Sequence, residues 1–194
     1  MKKILVTLLF LSLFQGIGIA QTNETQLSEK ENYIKQILAN DYKFTPSGFF
    51  IAITNGNAKY VDLFLKGMDP NTTYMKVPAI CTAICSKQAK IVELLLKAGV
   101  DPNKELLGQS PLLYAINRLD SATVDVLIKY GADVNRASNG VYPLNYALRK
   151  KDSGIIKSIV NAGAIPNDDA LIRAIKTKDE NIKTLVLEKY TQKN

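Results

Sequence analysis

Ile91-Val92-Glu93-Leu94-Leu95-Leu96-Lys97-Ala98-Gly99-Val100-Asp101-Pro102-Asn103 is an apolar run that stops at a glycine and an Asp-Pro-Asn tripeptide. Its apolar residues recur three and four apart, the period of a helix with one buried face. The same phrase returns along the chain. Gly67, Gly99, Gly131 and Gly163 are each 32 residues apart. At a constant offset beyond them stand Asp69-Pro70-Asn71, Asp101-Pro102-Asn103, Asp133-Val134-Asn135 and Ile165-Pro166-Asn167. Upstream of the other three glycines run Val61 to Leu65, Val124 to Ile128 and Ile156 to Val160. A fixed period of this length marks a stack of small helical units rather than a globule with one central core.

A second apolar segment precedes each of these, with an alanine in register at Ala52, Ala83, Ala115 and Ala147; a last copy has Ala174 followed by Ile182 to Leu187. Ser110-Pro111-Leu112-Leu113-Tyr114-Ala115 resembles the opening Thr-Pro-Leu-His-x-Ala element of an ankyrin repeat, and Ile91 to Asn103 resembles its second half. The likeness covers about residues 45 to 188. It departs from the family pattern in a period of 32 instead of the usual 33, in Phe50, Cys81, Leu113 and Asn145 at the histidine position, in Gly48 and Ala79 at the proline position of the first two copies, and in one residue fewer before Gly67. The resemblance implies an all-α solenoid of about five helix-turn-helix repeats with projecting hairpin loops. Three segments are expected: a leader at 1–20, a tail and N-terminal capping helix at 21–44, and the repeat domain at 45–194.

The third copy shows why such a unit folds. Pro111 suits the first turn of a helix, where its missing N–H removes no bond, and Ser110 before it can cap the free amides. The helix from Pro111 to Asn117 buries Leu112, Ala115 and Ile116, and Asp120-Ser121 turns the chain and caps a second helix. Val124, Leu127 and Ile128 form that helix's buried stripe, and Gly131 ends it in a left-handed cap. Asp133 to Tyr142 is then a hairpin with Gly140 at the tight turn. Before the repeats, Leu27 to Asn40 reads as a lone helix. Ser28 to Glu31 has capping-box spacing, and Tyr33, Ile34, Ile37 and Leu38 make an apolar stripe that covers the open end. At the other end Ile182, Leu185 and Val186 point inward, while Lys183, Glu188 and Lys189 give the last repeat a polar outer face.

The chain has no histidine, which removes the commonest general base and metal ligand. Asp69, Asp101 and Asp133 are accounted for by the loop motif, the glycines do not form a phosphate-binding run, and no serine or threonine has a histidine to activate it. No catalytic residue, cofactor or metal is therefore expected. Cys81 and Cys85 stand four apart on the first helix of one repeat, with Cys81 partly buried and Cys85 on the outer surface. Two free thiols, a strained or regulatory disulfide, and a metal pair all remain open on sequence grounds. Net charge is +7 with a pI near 9.3. The surplus is modest and spread along the chain, so it favours an acidic protein partner over nucleic acid.

Met1-Lys2-Lys3 opens a different kind of segment. Ile4 to Phe14 is almost wholly apolar, and Gln15 to Ala20 is small and turn-prone. Basic, apolar, then small residues is the pattern of a secretory signal peptide, and the run is too short to span a bilayer comfortably. Export is the expectation, to the periplasm or beyond the cell, without stable membrane insertion once the leader is cleaved.

The resemblance implies that a partner meets the hairpin tips and the exposed face of the first helices. Those first-helix positions are Thr54-Asn55, Cys85-Ser86, Asn117-Arg118, Arg149-Lys150 and Lys176-Thr177. Arg118, Arg149, Lys150 and Lys176 would form a basic strip. Tyr74, Met75, Lys76, Leu106, Leu107 and Arg136 stand at loop tips, several of them residue types that protein interfaces enrich. The function expected is binding of another protein, with an acidic surface, by a monomer that does no chemistry. Two narrower readings are an immunity or inhibitor protein that neutralises an envelope-acting toxin or enzyme, and a stress-protection accessory to an envelope enzyme.

Overall fold

The computed structural model describes residues 24–39, 42–106 and 108–192. The leader at 1–20, the end of the first expected helix at Asn40 and the loop-tip residue Leu107 lie outside them. Among the described residues there are eleven helices. A first helix, α1 (Glu24–Leu38), precedes five antiparallel pairs: α2 (Pro46–Thr54) with α3 (Ala58–Leu65), α4 (Ala79–Cys85) with α5 (Ala89–Lys97), α6 (Pro111–Asn117) with α7 (Ser121–Lys129), α8 (Pro143–Lys150) with α9 (Ser153–Asn161), and α10 (Asp168–Ile175) with α11 (Glu180–Thr191). First helices pack on first helices and second on second, so the pairs form two layers around one continuous core from Tyr33 to Val186. The alanines Ala52, Ala83, Ala115, Ala147 and Ala174 are fully buried.

The caps fall where the sequence puts them. Ser110 Oγ accepts from the Leu113 amide at 3.3 Å, and Pro111 occupies the first turn of α6. Asp120, Asp152 and Asp179 cap α7, α9 and α11 through the amides of Thr123, Ile155 and Ile182. Gly99, Gly131 and Gly163 sit at φ of 98°, 88° and 92°. After Gly99, the Val100 amide reaches back to Leu95 O while the glycine amide bonds Leu96 O, closing the helix in a Schellman motif.

Gly67 differs from its counterparts. With one residue fewer before it, the helix closes with Gly67 N and Met68 N both donating to Phe64 O, at 3.1 Å and 2.8 Å, and Gly67 is not left-handed. A Cβ there would lie 2.3 Å from Tyr33 Oη on α1. Glycine is needed at this position so that the capping helix can approach. Around that junction Phe44 stacks on Phe64 at 5.5 Å, and Tyr42 lies 4.9 Å from Tyr60.

The Asp-x-Asn tripeptide is also explained. Asp101 Oδ1 accepts from the Asn103 amide at 2.8 Å and holds the loop. The Asn103 side chain then bridges to the next repeat, donating to Gly131 O at 2.9 Å and accepting from the Asp133 amide at 2.8 Å. Asn135 repeats this with Gly163 O and the Ile165 amide. Asn71 makes no such bridge; its side chain folds back on Asp69.

Several expectations are corrected. Ser28 lies inside α1, which starts at Glu24, rather than ahead of the helix. Leu38 is exposed and leaves the stripe to Tyr33, Ile34 and Ile37. Ile128 and Leu185 are only partly buried, and Leu113 joins the core in full. At the far end Ile182 and Val186 do pack inward, but the outer face is not simply polar. Ile172 and Ile175 are 50% and 53% exposed, whereas their counterparts Leu113 and Ile116 are buried. No further repeat covers them among the described residues.

Candidate binding face

The first helices α4, α6 and α8 begin just after a hairpin, and every first helix ends at the turn into its partner. One end of the layer therefore carries the hairpin tips and the other the inter-helix turns. In the first hairpin β1 (Thr73–Tyr74) pairs with β2 (Val77–Pro78), and single bridges Leu106↔Gln109 and Ser138↔Val141 mark the next two. Asn139-Gly140 turns the third with φ of 51° and 71°, the geometry that Asn-Gly favours. Met75-Lys76 adopts φ of 50° and 65° in the first, without a glycine, and so holds strain. Met75 is 80% exposed at that tip. Tyr74, half-open beside it, leans on Phe50 at 5.6 Å. Asn139 donates through its side chain to Gly108 O and ties the third tip to the second.

Leu106 has to be withdrawn from the partner surface. It is 4% exposed, because the bridge to Gln109 turns its side chain inward under the loop. Leu107 lies outside the described residues. Arg136 and Lys76 are exposed, and Arg136 donates to Asn103 O at 3.3 Å across the repeat boundary.

The structure brings the cations of the first helices together in the C-terminal half. Arg118 donates to Cys85 O at 2.9 Å, which fixes its guanidinium over the preceding turn without neutralising it. Lys150 donates to Asn117 Oδ1 at 2.7 Å, and Tyr146 donates to the same oxygen at 2.8 Å. The Tyr146 ring carries Lys150 Nζ 5.3 Å and Arg149 Cζ 5.7 Å from its centre, within cation–π range. Among the described residues no carboxylate stands within 4 Å of Arg118, Arg149, Lys150 or Lys176. Arg173 does have one, Asp169 at 2.8 Å, whose carboxyl that bond holds below the usual range. Tyr114, Tyr146 and Arg173 escaped the sequence reading. They share the phase one residue before each buried alanine, and that constant offset was the available signal.

The outer layer is built differently. Glu93 on α5, its side chain 15% exposed, gathers Lys129 at 3.0 Å, Lys90 at 3.1 Å, Lys97 at 3.4 Å and the Tyr130 hydroxyl at 3.3 Å. The bonds from Lys129 and Lys90 draw its carboxyl down to about 2. Here three lysines share one carboxylate, whereas Arg118, Arg149, Lys150 and Lys176 on the inner layer have none within 4 Å among the described residues.

Cys81 is fully buried and Cys85 half-buried, so the latter is not on the outer surface as expected. Both are free thiols. Burial and the neighbouring Cys85 push the Cys81 thiol up to about 11, which disfavours the thiolate needed for oxidation or metal binding. Among the described residues no three His, Cys, Asp or Glu side chains are grouped to hold a metal ion. No helix among them is long and apolar enough to cross a membrane.

Residues 80–170 match the family model described as Ankyrin repeats (3 copies). The fold is an ankyrin-repeat solenoid. The matched span begins in α4 and ends in α10; the pair α2–α3 before it has the same layering, with its own closure at Gly67. Ankyrin repeats imply protein partners and support a protein–protein interaction role; such proteins are typically non-enzymatic binding scaffolds. No curated protein matches the chain.

Proposed function

We propose that this ankyrin-repeat protein acts by capturing another protein, with an acidic surface, on the inner layer of its C-terminal half. The observation that carries this reading is the row Arg118, Arg149, Lys150 and Lys176, the first three held in place by Cys85 O, Asn117 and Tyr146, and all four without a carboxylate within 4 Å among the described residues. Fixed, unpaired cations of one sign select partners of the other and speed their encounter. Tyr74 and Met75 at the first hairpin tip supply an apolar contact at the other end of the layer. Capture by a monomer without catalysis of its own suits the absence of histidine from the chain. Its place of action is outside the cytoplasm, most simply the periplasm, on the strength of the basic, apolar and small-residue phases of residues 1–20.

Within that reading, inhibition of an envelope-acting toxin or enzyme is favoured over accessory support of an envelope enzyme, because a preformed cationic face fits an acidic target without rearrangement. The test is purification of the tagged protein from its own cells with identification of what accompanies it. One stoichiometric partner, lost in an Arg118→Glu, Lys150→Glu variant that melts normally, is the expected result. A partner retained by that variant would overturn the role of the strip.

A further inference from the structure

The first hairpin ends in a thioether that its own turn does not call for. Met75 and Lys76 form the two-residue turn between β1 and β2, both left-handed at φ of 50° and 65°. The corresponding turn of the third hairpin is Asn139-Gly140, the pair that this geometry favours. Asparagine would therefore suit the backbone at position 75 better than methionine does. Met75 is 80% exposed, against 55% for Ile165, the next most open large apolar side chain among the described residues. Its neighbour Tyr74 is held back by the Phe50 ring at 5.6 Å. We infer that Met75 is a site of reversible oxidation, at which a peroxide converts the apolar hairpin tip into a polar one without cost to the fold. This goes beyond the reading under Proposed function and does not depend on it.

Access, reactivity and the lack of a packing role each bear on the assignment. The chain has three methionines and two cysteines. Met1 lies in the leader, outside the described residues. Met68 is partly buried against the core, and its amide closes α3 on Phe64 O. Cys81 is buried and Cys85 half-buried. A thiol reacts as its thiolate, which burial opposes at Cys81. A thioether needs no ionisation, so access decides its rate. Among the described residues Met75 is thus the sulfur that a dissolved oxidant meets first. The step transfers one oxygen atom. A sulfur lone pair attacks the peroxide, the S–O bond forms as the O–O bond breaks, and hydrogen peroxide leaves as water. Sulfur loses two electrons and the peroxide gains them. The product is a sulfoxide, polar and able to accept hydrogen bonds, and methionine sulfoxide reductases return it to the thioether. Met75 stands outside the core cluster, so this change removes no packing.

The purified protein is treated with hydrogen peroxide, quenched at intervals and mapped by fragment ions, beside an equal sample in urea. We expect Met75 to gain one oxygen about tenfold faster than Met68 in the folded protein, and at a similar rate in urea. Retention on a hydrophobic-interaction column should fall as oxidation proceeds, to the level of Met75→Gln. Reduction by the two sulfoxide reductases should restore it. Met75→Leu should keep its retention under the same treatment, and melting should not move in any of these samples. Equal rates at Met68 and Met75 in the folded protein, or loss of the Cys85 thiol ahead of Met75, overturn the assignment. A melting temperature that falls in step with Met75 oxidation overturns it too, because the side chain then supports the fold. Unchanged retention at full oxidation of Met75 would show that the tip keeps its character, and a sulfoxide that resists both reductases would show that the change is not reversible; either result sinks the proposal.

Discussion

The two halves of this stack reach the same fold by different means. The N-terminal half is closed by side-chain bulk: α1 lies over α3 through Tyr33, Ile34 and Ile37, and Phe44, Phe49 and Phe64 fill the junction. Its second helices α3 and α5 start at Asn57 and Gln88, neither of which caps with its side chain, and Asn71 bonds nothing in the next loop. The C-terminal half has aspartate caps on α7, α9 and α11, and the Asn103 and Asn135 bridges run from loop to loop into it. At its far end Ile172 and Ile175 are left exposed among the described residues. The difference teaches where a binding face can be built. A half held by polar bonds at its edges can leave the inner helices free to carry unpaired charge, whereas the aromatic half presents mostly neutral groups such as Ile51, Thr54 and Thr82 at the same phases.

That contrast can be broken by substitution. The largest effect is expected from a single phase tested at two places. Ile116→Ala in the fully buried middle of the stack should lower unfolding free energy by about 2–5 kcal/mol, while Ile175→Ala at the open end should cost under about 1 kcal/mol. Urea titration of both decides it, and equal losses would mean that the C-terminal end is covered after all. Next, Asn103→Ala removes two bonds between repeats and should cost about 1–2 kcal/mol, against a few tenths for Asn71→Ala, measured the same way. The caps sharpen the comparison in the opposite sense. Asp120→Ala should cost about 1 kcal/mol, and Gln88→Asp should recover a similar amount in the half that lacks such a cap, read as opposite shifts in melting temperature.

The smallest effect is confined to acid. Because the folded state draws Glu93 down to about 2 from the ordinary 4.5, its contribution is complete above 4.5 and is lost as pH falls toward 2. A Glu93→Gln variant should therefore approach the wild type in stability across that window, in melts recorded from pH 5 to about pH 2. An unchanged difference between the two at every pH would mean that the lysines around Glu93 do not hold it ionised.

Much of this architecture could be read directly. Ser110, Pro111, Asp120, Gly131 and the turn at Asn139-Gly140 each have a local chemistry that permits few conformations, and α6 occupies the residues its caps dictate. What stayed hidden depends on neighbours. The phase of Ile172 says it is on the stacking face but not that it is left half-exposed among the described residues. A two-residue hairpin does not declare which side chain turns under it, so Leu106 was read as a tip and is buried. Gly67 keeps its place in the glycine series, yet the residue missing before it converts a helix cap into a seat for Tyr33. For the binding face, the cations were legible as an interval in the sequence. The fixation of Arg118, Arg149 and Lys150 by Cys85 O, Asn117 and Tyr146 depends on how adjacent repeats stack.

The asparagine bridges bear on how such a chain changes length. Asn103 meets Gly131 O and the Asp133 amide, and Asn135 meets Gly163 O and the Ile165 amide, at the same separations along the sequence. Both partners are main-chain groups, indifferent to the side chain that carries them. Excision of residues 104–135, one period of 32, would set Gly163 and Ile165 before Asn103 where Gly131 and Asp133 now stand. Gain or loss of a whole unit therefore leaves no bridge unanswered, and a lineage can lengthen or shorten its recognition surface in steps without re-inventing the seam.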